Sequence, residues 1–391
     1  MTVSGYQAHD RLTDAEVFAT HEGGQLSVSG TIPIHDMHSL SVAYTPGVAR
    51  VSRAIADTPS LAADYTWANR LVAVVTNGTA VLGLGNVGPV AALPVMEGKS
   101  ALFKHLAGLN AIPVVLDAPK IDDIVDVLIR LRPSFGAVCL EDVAAPDCFE
   151  LEKRLKEVLD CPVMHDDQHG TAVAVLAGLH GACRVLDRRV ELNRVVVLGA
   201  GAAGIATAQL LLAAGVHDIT VLDSQGTLFT GRSGLTPTKA ALAARTNPRD
   251  LQGGLVEALS NADVLIGLSS STVPEALIST MAPQAIVFAL SNPVPEILPH
   301  LAAHHAAVVG TGGSDSPNQI INTLASPGIF RGVLDAGARF VTTEMKLAAA
   351  QAIAEVSEGT LSVDRIVPDT LDPRVAPAVA EAVIRAARAS Y

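Results

Sequence analysis

Short apolar runs alternate along most of the chain with stretches whose apolar positions recur at helical spacing. Leu71–Thr76 (LVAVVT), Ile112–Leu116, Phe135–Leu140 (FGAVCL) and Pro162–Met164 read as buried strands. Between them, Ile121–Leu131 reads as a helix, and so does Phe149–Leu159, with Leu151, Leu155, Val158 and Leu159 on one face. The second half repeats the alternation with strands at Val195–Leu198, Ile219–Leu222, Ala262–Gly267, Ala285–Leu290 and Ala306–Gly310. Two Ala-rich helices, within Arg339–Val356 and Asp372–Ala389, are expected to pack across a sheet or across the gap between domains. Strand–helix alternation of this kind predicts an α/β protein built on parallel sheets. Residues 1 to about 30 are weakly patterned, and Thr45-Pro46-Gly47 marks a turn that opens a helix just after Tyr44.

Val81–Leu84 is a further strand-like run, and Asn77-Gly78 before it predicts a hairpin with Leu71–Thr76. The following Gly83–Gly88 has the form GxGxxG, but Pro89 and Pro94 are expected to interrupt the helix a dinucleotide site needs, and no strand ending in an acid follows at the right distance. It reads instead as a tight turn beside a small-molecule pocket. Lys99, at the start of an Ala/Leu/Phe-rich helix, is either solvated surface or a base whose pKa desolvation lowers.

The other glycine-rich turn meets every contextual test. A strand precedes Gly199-Ala200-Gly201-Ala202-Ala203-Gly204, a helix follows, and the next strand ends in Asp223. This is the Rossmann fingerprint, with the pyrophosphate on the helix N-terminus and the acid on the ribose hydroxyls. Asp223 would repel a 2′-phosphate, which favours NAD⁺ over NADP⁺. Polar tips after the later strands, Ser269–Ser271, Ser291-Asn292-Pro293 and Thr311–Asp315, line the same crevice. Asn292 is placed either to touch a substrate or simply to form the turn.

The stretch Cys161–Val175 (CPVMHDDQHGTAVAV) carries two adjacent carboxylates, Asp166 and Asp167, just past an apolar strand. The preceding strand ends in Glu141-Asp142, and a right-handed βαβ crossover brings both strand ends to one sheet edge. Four acids there repel one another unless a hard cation sits among them, and oxygen ligands point to Mg²⁺ or Mn²⁺. The alternative is a set of unrelated solvated loop acids.

Composition adds limits. A chain of 391 residues suggests two or three domains, and with 3% aromatic residues the cores must be aliphatic. A formal charge of −12 with no basic cluster argues against nucleic acid and anionic membranes as partners. The uncharged run Val195–Val216 resembles a membrane span, but its glycines sit where a strand-turn-helix needs them. Four cysteines without a CxxC pair fit buried thiols in a reducing cytoplasm, and MTVSGYQAHDRLTD shows no signal peptide.

Together these motifs resemble the malic enzyme family in its short bacterial form. The matching pieces are Tyr44–Ala49 (YTPGVA), Val81–Lys104, Leu140-Glu141-Asp142, Ala145–Phe149 (APDCF), His165–Ala172, Gly199–Gly204, Ser291-Asn292-Pro293 and Ser326–Gly332 (SPGIFRG), in the family's order. The resemblance implies a substrate and metal domain over 1–164 and a Rossmann-type NAD(P)-binding domain with C-terminal helices over 165–391. It implies oxidative decarboxylation of (S)-malate to pyruvate and CO₂, with NAD⁺ or NADP⁺ and Mg²⁺ or Mn²⁺, in a homodimer or higher homo-oligomer. Residue by residue, it makes Lys99 the general base, Tyr44 the general acid, and Glu141, Asp142 and Asp167 the metal ligands. Asp166 becomes the acid behind them, and Asn292 and Asn322 become malate contacts. Two positions depart from the family: Ile321-Asn322 stands where two asparagines are usual, and Ser326 where phenylalanine is usual. Ala80 also replaces an arginine of the longer forms. A malolactic-type enzyme that releases lactate, and a catalytically idle NAD-binding regulatory protein, are the competing readings.

Overall fold

The computed structural model describes residues 12–314 and 316–389. Residues 1–11 of the stretch searched for a signal peptide, and Asp315 at the last strand tip, lie outside the described residues. The architecture is α/β with two sheets. The first has strand order β2-β1-β3-β4, from β1 (Leu71–Thr76), β2 (Asn110–Val115), β3 (Ala137–Leu140) and β4 (Val163–His165), all parallel. Every residue of β1 is buried, as expected of a central parallel strand covered on both faces.

The second sheet is built from β5 (Arg194–Leu198), β6 (Asp218–Asp223), the short β7 (Gly226–Thr227), β8 (Val264–Gly267), β9 (Ala285–Ala289) and β10 (Ala306–Thr311). Its order is β10-β9-β8-β5-β6-β7, parallel except for β7. The chain leaves β5 for β6 on one side and later returns to β8 on the other. That reversal opens a crevice at the carboxyl ends of the strands.

The helix Asp166–Val185 joins the two sheets. It is apolar on nearly all sides and correspondingly buried. The helices Thr343–Val356 and Val375–Ala389 pack on each other, and the first of them also packs against Asp166–Val185. One continuous apolar core runs from β1 through this helix to β5 and the C-terminal helices. Within it, Phe103 meets Phe330 edge-on with ring centroids 5.4 Å apart.

Two local expectations fail. Val81–Leu84 is not a strand, because both sides of β1 are already paired, with β2 and with β3. The segment curls instead, Val81 N–H donating to the Gly85 carbonyl at 2.9 Å. Nor do the prolines break the following helix, which runs unbroken over Pro89–Ala107. Pro89 occupies its first turn, where an N–H has no helical partner anyway. Pro94 removes one bond to the carbonyl of Val90, a residue open to water. Lys99 therefore lies in the middle of this helix, not at its start.

From Leu12 to Arg70 no residue is buried. Phe18, Val28, Met37, Val42 and Tyr44 are all largely exposed in this segment.

Candidate active site

The parallel pairing of Leu140 with His165 sets Glu141-Asp142 beside Asp166-Asp167. Asp142 adopts a left-handed conformation (φ +53), and its N–H donates to Asp167 Oδ2 at 2.9 Å. The curled loop after Gly78 closes over this point, with Ala80 N–H donating to the Asp142 carbonyl at 3.0 Å. The four acids of the two strand ends do converge.

Lys99 reaches into them from the helix Pro89–Ala107. Its Nζ donates to the Asp166 carboxylate, to Glu141 Oε1 at 3.3 Å and to Asn322 Oδ1 at 3.3 Å. The other oxygen of Asp166 accepts the Ser326 hydroxyl, and Asp166 has no exposed surface. The expected depression of the Lys99 pKa is overturned. Burial does push it down, but Asp166 and Glu141 together push harder, and the ammonium is held well above the usual lysine range.

The acids themselves resist ionisation. Burial, reinforced by Asp166, Asp167 and Asp142, lifts Glu141 well above the carboxylate range despite Lys99. Burial and the neighbouring Asp167 lift Asp142 to about 7. Asp142 Oδ2 is buried without a hydrogen-bond partner. An orphaned oxygen on Asp142, beside a Glu141 carboxyl that burial also raises, fits a hard divalent cation. Among the described residues, the ligand atoms gathered within 4.8 Å of one another are those of Cys139, Glu141 and Asp166, not of Glu141, Asp142 and Asp167. Burial, with Asp166 and Glu141 next, keeps the Cys139 thiol protonated, so it is a poor partner for such an ion.

Tyr44 caps the helix Met37–Ala43 at its C-terminus and is 66% exposed. Its hydroxyl has no hydrogen-bond partner among the described residues, so nothing ties it to Lys99 within this chain. Asn292 is likewise exposed. Its amide donates to the Gly312 carbonyl at 3.4 Å, and its own carbonyl lies against Gly83 of the first sheet's loop.

In the second sheet, β5 runs into Gly199 at φ +119, where a Cβ would fall 2.4 Å from the Leu268 carbonyl oxygen. A Cβ on Gly204 would fall 1.8 Å from the Gly199 oxygen, so only glycine lets the helix Ala202–Ala213 lie this close to the strand. Gly201 faces open space. That cradle, ending on the N–H groups of Ala202 and Ala203, fits a pyrophosphate.

Asp223 stands at the end of β6 as expected, but its carboxylate is already engaged. Arg232 donates to both oxygens, at 2.9 and 2.5 Å, and Lys239 Nζ donates to Oδ2 at 2.7 Å. Burial would raise its pKa; these two cations and the Gln225 N–H overcome it and hold the group below the usual range. The free carboxylate that would reject a 2′-phosphate is therefore absent, and the lean towards NAD⁺ loses its basis.

Sequence reading missed Arg232, Lys239 and Glu296. Glu296 is buried and accepts the N–H groups of Ser269 and Ser291, bracing the tips of β8 and β9. None belongs to a periodic pattern, and all three lie in or after loops. Ser326 drew attention only as a departure from the family.

Residues 24–156 match the family model of the malic enzyme N-terminal domain, and residues 168–388 that of the malic enzyme NAD binding domain. A Geobacillus stearothermophilus protein named NAD-dependent malic enzyme is 48% identical over 95% of this chain and 78% of its own. A Bacillus subtilis protein named bifunctional malic/malolactic enzyme is 48% identical over 93% of this chain and 90% of its own. The crystal structure of malic enzyme from Pyrococcus horikoshii aligns with a TM-score of 0.91 and 41% identity, covering 96% of this chain and 90% of that one. Two family models that between them span nearly the whole chain, and relatives matched over most of their own length, place it: the chain belongs to the malic enzyme family.

Proposed function

We propose that this protein oxidatively decarboxylates (S)-malate to pyruvate and CO₂, reducing NAD⁺ or NADP⁺ with a divalent cation, Mg²⁺ or Mn²⁺. The observation that carries the reading is the group of buried Lys99, Glu141 and Asp166 with half-buried Asn322, drawn together from both halves of the chain. In it Lys99 takes the proton of the malate C2 hydroxyl, and Asp166 holds the lysine in place. Lys99 accepts that proton only once the charges of Glu141 and Asp166, which keep it protonated, are offset. Glu141, Asp142 and Asp167 would hold the cation. When bound, the cation supplies Lewis acidity and the dinucleotide a hydride acceptor. Tyr44 returns a proton to C3 after CO₂ has left, and Asn292 and Asn322 orient the malate carboxylates. Gly199, Gly201, Ala202, Ala203 and Gly204 receive the pyrophosphate.

The division between a substrate domain and a cofactor domain is placed at 164/165, ahead of the helix that joins the sheets. The working form is a homodimer or higher homo-oligomer. The unburied segment Leu12–Arg70, with Tyr44 open on it, supports that reading, since a second copy would cover it. Among the described residues no helix is long and apolar enough to cross a membrane. Four free, buried cysteines support a cytoplasmic location.

The deciding experiment is malate oxidation with each dinucleotide, with Mn²⁺ and after exhaustive chelation, together with product analysis. Pyruvate and free reduced cofactor, lost on chelation, are expected; full turnover without a cation refutes the scheme. The malolactic reading is favoured by the bifunctional name of the Bacillus subtilis relative. Lactate formed without free NADH would establish it.

A further inference from the structure

We propose that Glu152 is a positioning residue for the acid-bearing end of the helix Asp166–Val185, and that Lys346 ties this brace to the C-terminal helices. The inference rests on the reading of Asp167 as a cation ligand. Glu152 lies on the helix Asp147–Val158, outside the lysine–acid group, and is buried. Its Oε1 accepts the backbone N–H of His165 at 2.9 Å and Lys156 Nζ at 3.0 Å, while Oε2 meets His169 Nε2 at 3.0 Å. His165 immediately precedes Asp166, and His169 follows Asp167 by two positions. The glutamate therefore grips the chain on either side of the Asp166-Asp167 pair.

That grip replaces a missing device. His165 is the N-cap residue of the helix, and its side chain makes no capping hydrogen bond. An uncapped first turn frays, because its N–H groups lack helical partners. A ligand on such a turn is poorly placed for a cation whose bond lengths tolerate about 0.2 Å. Glu152 supplies the restraint from a neighbouring helix. From the other side, Lys346 Nζ lies 3.1 Å from His169 Nδ1. An ammonium has only protons to offer, so Nδ1 accepts, Nε2 carries the ring proton, and that proton points at Glu152. Lys346 stands on the helix Thr343–Val356, so the brace runs from the C-terminal helices to the first sheet.

The test is Mn²⁺ binding to the full chain without malate, followed by the electron paramagnetic resonance signal of the free ion, alongside NAD⁺ binding by calorimetry. Glu152→Ala is expected to weaken Mn²⁺ binding about 10- to 100-fold, the usual effect of removing a group that orients a ligand. NAD⁺ affinity should stay within twofold. Glu152→Gln, which keeps an acceptor for the His165 N–H, should recover part of the loss, and His169→Asn should weaken Mn²⁺ several-fold. A role in stability alone would lower the melting temperature and leave the Mn²⁺ dissociation constant of the folded protein unchanged. Parental Mn²⁺ affinity in Glu152→Ala overturns the proposal, as does parental affinity in His169→Asn where Glu152→Ala does not fold. Asp167→Asn separates the two failures. If it abolishes Mn²⁺ binding while Glu152→Ala does not weaken it, positioning alone is wrong; if Asp167→Asn binds Mn²⁺ normally, the ligand reading falls and the proposal with it.

Discussion

Replacing Lys99 by methionine tests whether its ammonium is the counter-charge of the acid cluster. Methionine keeps most of the side-chain volume, so the loss is mainly electrostatic. Lys99 is 8% exposed, Glu141 6% and Asp166 0%, so water screens these charges little. When Glu141 is ionised, the 3.3 Å separation at an effective dielectric of 20 gives an attraction of about 5 kcal/mol. The variant is relieved of burying the ammonium, which offsets part of this. Removing one partner of a buried pair then costs about 3–5 kcal/mol, because the remaining charges stay buried. The pH dependence has a definite sign. In the parent, a raised lysine pKa contributes stability that is complete below about pH 10 and lost only above it. Glu141 and Asp142 are already raised in the parent, and Lys99→Met removes a charge that pulls them down, so the folded variant holds still more protons than the unfolded chain. Its stability then falls as pH rises from the carboxylate range towards neutrality. Thermal melts of cation-free protein should show a deficit of roughly 5 °C at pH 8 and a smaller one at pH 5. Malate oxidation should fall about 10²- to 10⁴-fold with NAD⁺ binding intact, as for loss of a general base. Equal midpoints at pH 8, or near-parental turnover, would refute the assignment.

Other expectations separate the parts of the site. Gly204→Ala puts a methyl group where the Gly199 oxygen already lies, so it should destabilise the fold by about 1–3 kcal/mol in denaturant titrations. A Cβ at Gly201 meets no atom within 4 Å, so Gly201→Ala should leave melting unchanged while calorimetry shows dinucleotide affinity falling about tenfold. Arg232→Ala releases one of the two cations on Asp223 and restores the carboxylate's repulsion of a 2′-phosphate. The ratio of NADP⁺ to NAD⁺ dissociation constants should rise about tenfold, and an unchanged ratio would remove the pair from cofactor choice. Tyr44→Phe should cut pyruvate formation about 10²-fold or more without altering the melting temperature, because the exposed hydroxyl has no hydrogen-bond partner among the described residues.

What could be read from the chain, and what could not, divides along a physical line. Continuous apolar runs such as Leu71–Thr76 announced buried parallel strands, and one handedness rule then brought Glu141-Asp142 and Asp166-Asp167 to the same edge. The failures came where a distant partner decided the outcome. The Asn77-Gly78 turn carries no information that β2 and β3, about thirty and sixty residues further on, will occupy both sides of β1. Asp223 looks free in the sequence because Arg232, on a later loop, and Lys239, on the helix Pro237–Ala243, are not marked as its partners. Lys99 was judged by desolvation alone, whereas the carboxylates across the helix–sheet boundary outweigh it. Ser326 makes the same point about a substitution. Beside the family's usual phenylalanine it is a lost aromatic ring, which bears on substrate affinity or identity. In the fold it is fully buried and its hydroxyl bonds to Asp166, on the carboxylate whose other oxygen holds Lys99. A hydroxyl bonded to Asp166 helps fix the carboxylate that holds Lys99. The change from ring to hydroxyl therefore acts on the placement of the base, and its effect belongs in the rate of turnover rather than in the list of acids the enzyme accepts.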